Sequence, residues 1–560
     1  MDVSPRLAPW ILTLVEALLV LAGLFLVALR GRDQHLRHAF PRGFLVFSRR
    51  KTLAVCSVGF LTIVLRAALI PILGIPEPRW NDEFSYLLAA KTFAAGRLTN
   101  PTHSLWLHFE TFHIIQKPTY MSMYPPGQGL VLAFGERIAH LPWLGVLLIT
   151  AVACAAITWM LQAWVPPGWA LFGGLLAVFR FGILSYWMNS YWVPALAATG
   201  GALVLGAYPR LRRSPCFRNA AWMALGLVIL ANSRPYEGFV FSLPFAAAIL
   251  RLLVNQPKGR EPRTFRRAAG VLTVLLLAGA IATGYYYWRV TGSPFRFTYQ
   301  VNRQTYAVVP YFIMLPQRPA PEYHDAVMRD YYLGWEINQF REYATLAGFF
   351  RSTAHKVSEL WRFYLGPILT IPLIGFPFLF RDRRMRFPLI VAAVCCCGWM
   401  IETWTMPHYV APATALLYLL IVQCLRHLQF WNWRGRALGA ELVRMVAFLS
   451  VAMVLLRLVA ILIHAPLEPR WPRGNLERPQ IVAELSRLPA PQLVFVRYGP
   501  HHDVDHEWVF NDPDIDQSKI VWARDMGPEN EEVLRYYPHR EAWYLDADEI
   551  PPRLTAVPSQ

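Results

Sequence analysis

Long apolar runs recur along the whole chain, and arginine-rich clusters fall after every second one. Read as spanning helices, the runs are Pro9–Leu29, Leu53–Ile75, Leu141–Val165, Trp169–Leu184, Val193–Tyr208, Ala220–Ala231, Phe239–Val254, Ala268–Val290, Trp361–Phe380, Phe387–Trp404, Val410–Cys424 and Met445–His464. The basic clusters are Arg30 to Lys51, Arg210 to Arg218, Lys258 to Arg267, Arg381 to Arg386 and Arg426 to Arg444. Placing these clusters in the cytoplasm predicts about twelve spans with both chain ends outside. The first run is long and followed by basic residues, so a spanning helix is expected there rather than a cleaved signal peptide.

The pattern predicts a mainly α-helical polytopic membrane protein. A transmembrane part over residues 1–464 carries a first outer loop at 76–140 and a long outer segment at 291–360. From Ala465 onward the chain turns charged and polar, with short alternating runs at Leu493–Tyr498, Lys519–Ala523 and Ala542–Leu545, which predicts a small outward-facing α/β domain over 465–560. Segment 291–360 is long for a connection and is expected to be a lid or an acceptor platform.

Composition agrees with this reading. The chain has 560 residues, of which 55% are hydrophobic and 16% charged, with a mean hydropathy of +0.31. Its net charge of +18 is accounted for by positive-inside loops, so no nucleic-acid partner is expected. The seven cysteines show no metal-ligand spacing and imply no disulfide framework. Arg66, Arg180 and Glu16 fall inside spans, near enough to span ends for the arginines to snorkel.

The candidate chemistry lies on the outer side. Trp80-Asn81-Asp82-Glu83-Phe84-Ser85-Tyr86 puts two adjacent carboxylates directly after an outward span, where charge usually has a task. Asn81 or Asp82 is expected to cap a helix running to Ala95, stopped by Gly96 and lying along the membrane surface. Activated soluble donors stay in the cytoplasm, so an enzyme of the outer face is expected to use a lipid-linked substrate. A carboxylate there takes the proton from an attacking hydroxyl, and a leaving lipid phosphate calls for cations or hydrogen-bond donors. Outward-facing candidates are Arg97, Lys117, Tyr124, Arg234 and His408 with its neighbour Tyr409.

These residues resemble a family. Trp80 to Tyr86 followed by Ala95-Gly96-Arg97 resembles the first outer loop of GT-C fold glycosyltransferases, particularly the protein O-mannosyltransferase (glycosyltransferase family 39) and lipid A aminoarabinose transferase group. Tyr124-Pro125-Pro126-Gly127-Gln128-Gly129 is similar to that group's proline-containing loop, and Pro407-His408-Tyr409-Val410-Ala411-Pro412 to its late motif. The resemblance implies transfer of a sugar from a polyprenyl-phosphate donor to a hydroxyl acceptor on protein, lipid or glycan. Asp82 would be the general base of an inverting displacement and Glu83 a supporting acid. It further implies no required cofactor and a bacterial inner membrane with the site facing the periplasm. Where the aminoarabinose transferases carry a phosphate-binding lysine, this chain has Tyr124, and Lys117 lies seven residues earlier.

Weaker patterns have blander readings beside them. His103, His108, Glu110 and His113 have spacings that a divalent metal accepts, but solvent-facing or interfacial histidines are preferred and no metal site is expected. His501 to Glu507 with Asp512, Asp514 and Asp516 fails the calcium-loop pattern and is expected to be a solvated acidic loop. The rival functional class is a multi-pass lipid or solute transporter, which calls for an internal repeat and a polar mid-membrane path. Another is a membrane-anchored binding protein whose tail acts alone.

Overall fold

A computed structural model describes residues 8–29, 39–255, 262–433, 436–465 and 474–558. Several residues of the expected cytoplasmic basic clusters, among them Arg30, Arg32, Arg37, Lys258, Arg260 and Arg434, lie outside the described residues. The chain is a helical, multi-pass membrane protein with one small sheet near its C-terminus. Every expected span contains helix, but among the described residues only seven helices are both long and apolar enough to cross a membrane, or eight if one bent pair counts as a single span. The expected count of about twelve is therefore not reached. Phe217–Ala231 and Arg386–Met400 are apolar but shorter, while Pro194–Arg213 ends in a basic turn.

The bent pair, Leu346–Tyr364 and Gly366–Arg381, turns by 98° at Gly366, whose φ is +57°. A side chain at Gly366 would strike Arg180 and Glu16, each at 2.6 Å from an added Cβ. Glu16 and Arg180 pair at 3.3 Å, Glu16 Oε1 accepts the Ile368 N–H at 3.0 Å, and Arg180 Nε donates to the Phe363 carbonyl at 2.9 Å. Arg66 is fully buried, donating to Asn189 Oδ1 at 3.0 Å and to the Gly74 carbonyl at 2.9 Å, with its guanidinium over Trp143. Neither arginine snorkels as expected. Each has partners inside the protein, which is how a charge avoids the desolvation penalty.

The helix after the acidic pair runs Asn81–Ala94. Trp80 is its N-cap, and Glu83 reaches back so that Oε2 accepts the N–H of Arg79 at 2.9 Å and of Trp80 at 3.1 Å. The cap is thus supplied by Glu83 from the third helical position rather than by Asn81 or Asp82. Gly96, at φ +74°, stops the helix as expected, with the Arg97 N–H on the Thr92 carbonyl at 3.1 Å.

Two faces of this helix are apolar, and protein covers both. Tyr86, Ala89 and Ala90 pack with Met121, Tyr124 and Leu132, whereas Phe84 and Leu88 pack with Phe495, Phe510 and Val521 of the tail. Phe84 stacks on Phe510 with centroids 4.3 Å apart and planes at 7°. The tail sheet is ordered Ile520–Arg524, Gln492–Arg497, Glu541–Asp546, Arg553–Ala556; the first three strands are parallel and the last is antiparallel. Alternation along Gln492–Arg497 sends Leu493 and Phe495 toward the first outer loop and Val494 and Val496 toward Leu485 and Trp508. The tail therefore completes a core with residues some 400 positions earlier in sequence, among them Phe84 and Phe109.

Emptying this shared core is expected to loosen the tail. Phe510→Ala should lower stability by about 3–5 kcal/mol, read as a drop in the melting temperature of the purified full chain. A shift no larger than that of a surface substitution would mean that the contact is not cooperative with the fold.

Candidate active site

A cavity of about 2320 Å³ opens beside the acidic pair, walled by the first outer loop, spanning helices, segment 291–360 and the tail. Asp82 lines it. The Tyr124 hydroxyl donates to Asp82 Oδ1, and His113 Nδ1 stands 3.5 Å from the same oxygen. Burial lowers the His113 pKa, partly offset by Asp82, so its ring is held toward the neutral form. Tyr86 stacks under Tyr124 at 4.3 Å. The carboxylate is thus aimed by one hydroxyl from the loop that opens the helix Pro126–Ala139.

Glu83 points elsewhere. It is 1% exposed, does not line the cavity, and its Oε1 accepts the Tyr191 N–H at 2.9 Å while Oε2 serves the cap. Burial pushes its carboxyl up to about 7, opposed by the backbone N–H groups of Arg79, Tyr191 and Trp80. Its place in the structure is to join the first outer loop to the Ser185–Trp192 loop.

The proposed phosphate partners divide into two sets. Arg234, Tyr124, His408 and Tyr409 all line the cavity, whereas Lys117 and Arg97 do not. Lys117 is exposed with its ammonium 3.9 Å over the Trp106 ring, and Arg97 follows the glycine stop at the far end of the helix. Arg234 caps the helix Pro235–Val254; it pairs with Glu237 at 3.3 Å, lies 3.9 Å over the Tyr409 ring, and its buried Nε has no hydrogen-bond partner. His408 is buried against Trp192, with Nδ1 3.2 Å from the Tyr186 hydroxyl. Burial, reinforced by Arg234, holds its pKa well below the usual histidine range, so it serves as a neutral hydrogen-bonding group and not as a cation. Tyr124 gives its hydroxyl to Asp82.

Other expected clusters come apart. His103 faces Asp516, His108 is buried near the Arg524 carbonyl, and Glu110 takes the Tyr306 hydroxyl and His324, which leaves only His113 at the cavity. These histidines are internal rather than solvent-facing, and among the described residues no group of His, Cys, Asp and Glu is arranged to hold a metal ion. Lys91 pairs with Asp512, so part of the acidic loop serves to fasten the tail to the helix.

Sequence reasoning missed three contributions. Asp503 and Asp505, placed in a solvated loop, line the cavity. Arg303 and Glu336, from segment 291–360, form a buried pair at 2.6 Å on its wall. Tyr299 stands edge-on to Tyr124 at 5.5 Å. No local motif marks any of these, because each reaches the site only through the packing of distant segments.

No protein-family model matches the chain, and no curated protein matches it. Solved structures do. ArnT from Cupriavidus metallidurans in the apo state aligns at 14% identity and a TM-score of 0.45, over 87% of this chain and 92% of that one. The Archaeoglobus fulgidus oligosaccharyltransferase in complex with Zn and sulfate aligns at 11% identity and a TM-score of 0.46, over 88% of this chain and 68% of that one. The archaeal oligosaccharyltransferase AglB from the same organism, in complex with an inhibitory peptide and a dolichol-phosphate, aligns at 12% and 0.41, over 78% and 58%.

Asp505 supplies a pH signature. Burial, with Asp503 and Asp82 nearby, pushes its carboxyl from 3.8 up to about 7. Between these values the folded protein holds a proton that the unfolded chain has lost, so this group's contribution to stability falls as pH rises from about 4 to 7. Asp505→Asn should remove that slope, measured as melting temperature against pH. An unchanged slope would show that Asp505 titrates like an exposed aspartate.

Proposed function

We propose that this protein is an integral membrane glycosyltransferase of the GT-C type, moving a sugar from a polyprenyl-phosphate donor to a hydroxyl acceptor at the outer face of a bacterial inner membrane. The observation that carries this reading is one continuous cavity joining Asp82, Arg234 and an apolar wall of spanning helices that includes Leu227, Leu230, Phe239, Leu277 and Ile281. Its volume of about 2320 Å³ exceeds the roughly 300–1,000 Å³ of ordinary small-molecule pockets, and an apolar wall reaching toward lipid suits an isoprenoid tail.

In this reading the acceptor hydroxyl attacks the anomeric carbon as Asp82 takes its proton, and the carbon–oxygen bond to the lipid phosphate breaks on the opposite face, inverting the configuration. Tyr124 orients the base through its hydrogen bond. Arg234 meets the departing phosphate: its unpartnered Nε leaves a donor for an oxyanion while Glu237 and the Tyr409 ring fix the guanidinium plane. His408 supports this end as a neutral donor or acceptor. Glu83 acts through position, holding the helix that carries Asp82. No step calls for a cofactor.

Against the transporter reading, Glu16, Arg66 and Arg180, which fall inside expected spans, are bound to one another or to backbone and neighbouring side chains, and none of the three lines the cavity.

Asp82→Asn is expected to cut transfer by about 10²–10⁴-fold without changing the melting temperature by more than a few degrees. The assay is transfer of radiolabelled sugar from a panel of polyprenyl-phosphate hexoses and pentoses by the purified chain. Full activity in the variant would remove Asp82 from the mechanism. Arg234→Gln should raise the donor KM by about tenfold or more, the loss of a charge-assisted hydrogen bond; an unchanged donor KM with a normal kcat would place the phosphate elsewhere.

A further inference from the structure

The tail presents to the cavity a polar face that the transfer chemistry leaves unused. His502 Nδ1 lies 2.7 Å from Asp548 Oδ1, and the other oxygen of that carboxylate accepts the Gly499 N–H at 2.6 Å. In the neutral imidazole, a carboxylate against Nδ1 fixes the proton on that nitrogen and leaves Nε2 with its lone pair. The His502 side chain is only 2% exposed, its ring lies 4.1 Å from that of Tyr498, and Nε2 has no hydrogen-bond partner. A buried, unpartnered acceptor costs about 1–3 kcal/mol, so a site that keeps one is arranged for something that donates to it.

The surroundings say what kind of ligand donates. His502 lines the same cavity as Asp82, and so do Asp503 and Asp505. Val504, between the two aspartates, packs with Phe112 and Tyr331, and its carbonyl accepts from Asn81 Nδ2 at 3.3 Å, one residue from Asp82. The tail loop is thus tied to the backbone that bears the base. Also lining the cavity, Trp335 is 52% exposed and lies on Tyr331 with centroids 5.2 Å apart and planes at 17°. An open aromatic face together with unpaired lone pairs suits a ring that has an apolar face and several hydroxyl donors.

We propose that His502, oriented by Asp548, and Asp505 form a saccharide subsite in which His502 Nε2 and the Asp505 carboxyl receive sugar hydroxyls, so that the tail recognises a glycan acceptor. Only the word acceptor rests on the transferase reading; the binding of a sugar there does not.

Saturation-transfer NMR on the full chain in detergent micelles, with a panel of methyl hexosides and pentosides, tests this. At least one glycoside is expected to bind the wild type. His502→Asn keeps a donor toward Asp548 but loses the acceptor at Nε2, and should raise the glycoside Kd by about tenfold, the loss of one hydrogen bond at a buried group. His502→Gln, whose side-chain amide reaches the Nε2 position, should recover most of that loss, which a purely structural role would not produce; melting curves of both variants report folding. Asp505→Asn should weaken the same glycoside. Binding of no glycoside, binding unchanged in His502→Asn, or binding of a serine- or threonine-containing peptide in place of every glycoside would overturn the subsite. No transfer by the wild type from any donor of the polyprenyl-phosphate panel, with His502-dependent glycoside binding, would sink the transferase reading alone. Loss of transfer in Asp82→Asn with His502-independent binding would sink the subsite alone.

Discussion

The cavity-bearing part of this protein depends on the burial of one carboxylate. Glu83 accepts three backbone N–H groups, from Arg79, Trp80 and Tyr191, at 2.9–3.1 Å. Two of these start the helix and the third fixes it to the loop after the Val178–Gly182 turn. An acid taken out of water is tolerated only with such compensation, so the chain has few other ways to run past this point. Because neighbours on a helix point about 100° apart, anchoring Glu83 inward turns Asp82 toward the cavity. The paired acids therefore divide the labour: one sets direction and the other faces the cavity.

The second constraint is that the anchored helix has two apolar faces and needs a cover for each. Met121, Tyr124 and Leu132 cover one and the tail covers the other, through Phe84 on Phe510 and Leu88 beside Phe495 and Val521. Polar ties follow the same seam. Arg524 Nε donates to the Glu110 carbonyl at 2.7 Å and its Nη2 meets Glu507 at 2.7 Å, while Asn81 Nδ2 reaches the Val504 carbonyl. The tail is thereby part of the cavity wall, and the sheet's position becomes a determinant of what stands opposite Asp82.

Much of this was legible in sequence where the signal is local. Apolar runs marked a helix for each expected span, period-two alternation marked three of the four tail strands, and Gly96 marked the helix stop. The number of spans long and apolar enough to cross a membrane was not, since a glycine at positive φ breaks one of them and basic turns shorten the apolar part of others. Arg66 and Arg180 looked free to snorkel because their partners, Asn189 and Glu16, are distant in sequence. The same blindness applies to the site. Asp82 and Arg234 each stand beside a recognisable local pattern, whereas Asp505, His502 and the Arg303–Glu336 pair join them only through long-range packing.

The absence of a lysine before Pro125 finds a physical account in how charge is distributed around Asp82. The Tyr124 hydroxyl orients the Asp82 carboxylate through a hydrogen bond without placing a full charge at that position. The positive charge is supplied instead from the start of Pro235–Val254, by Arg234, whose guanidinium is held by Glu237 and Tyr409 and not by Asp82. Asp82 and Arg234 thus sit on different elements of one cavity wall; under the proposed transfer the attacked carbon would lie between them, with the bond that forms and the bond that breaks on opposite faces of the sugar.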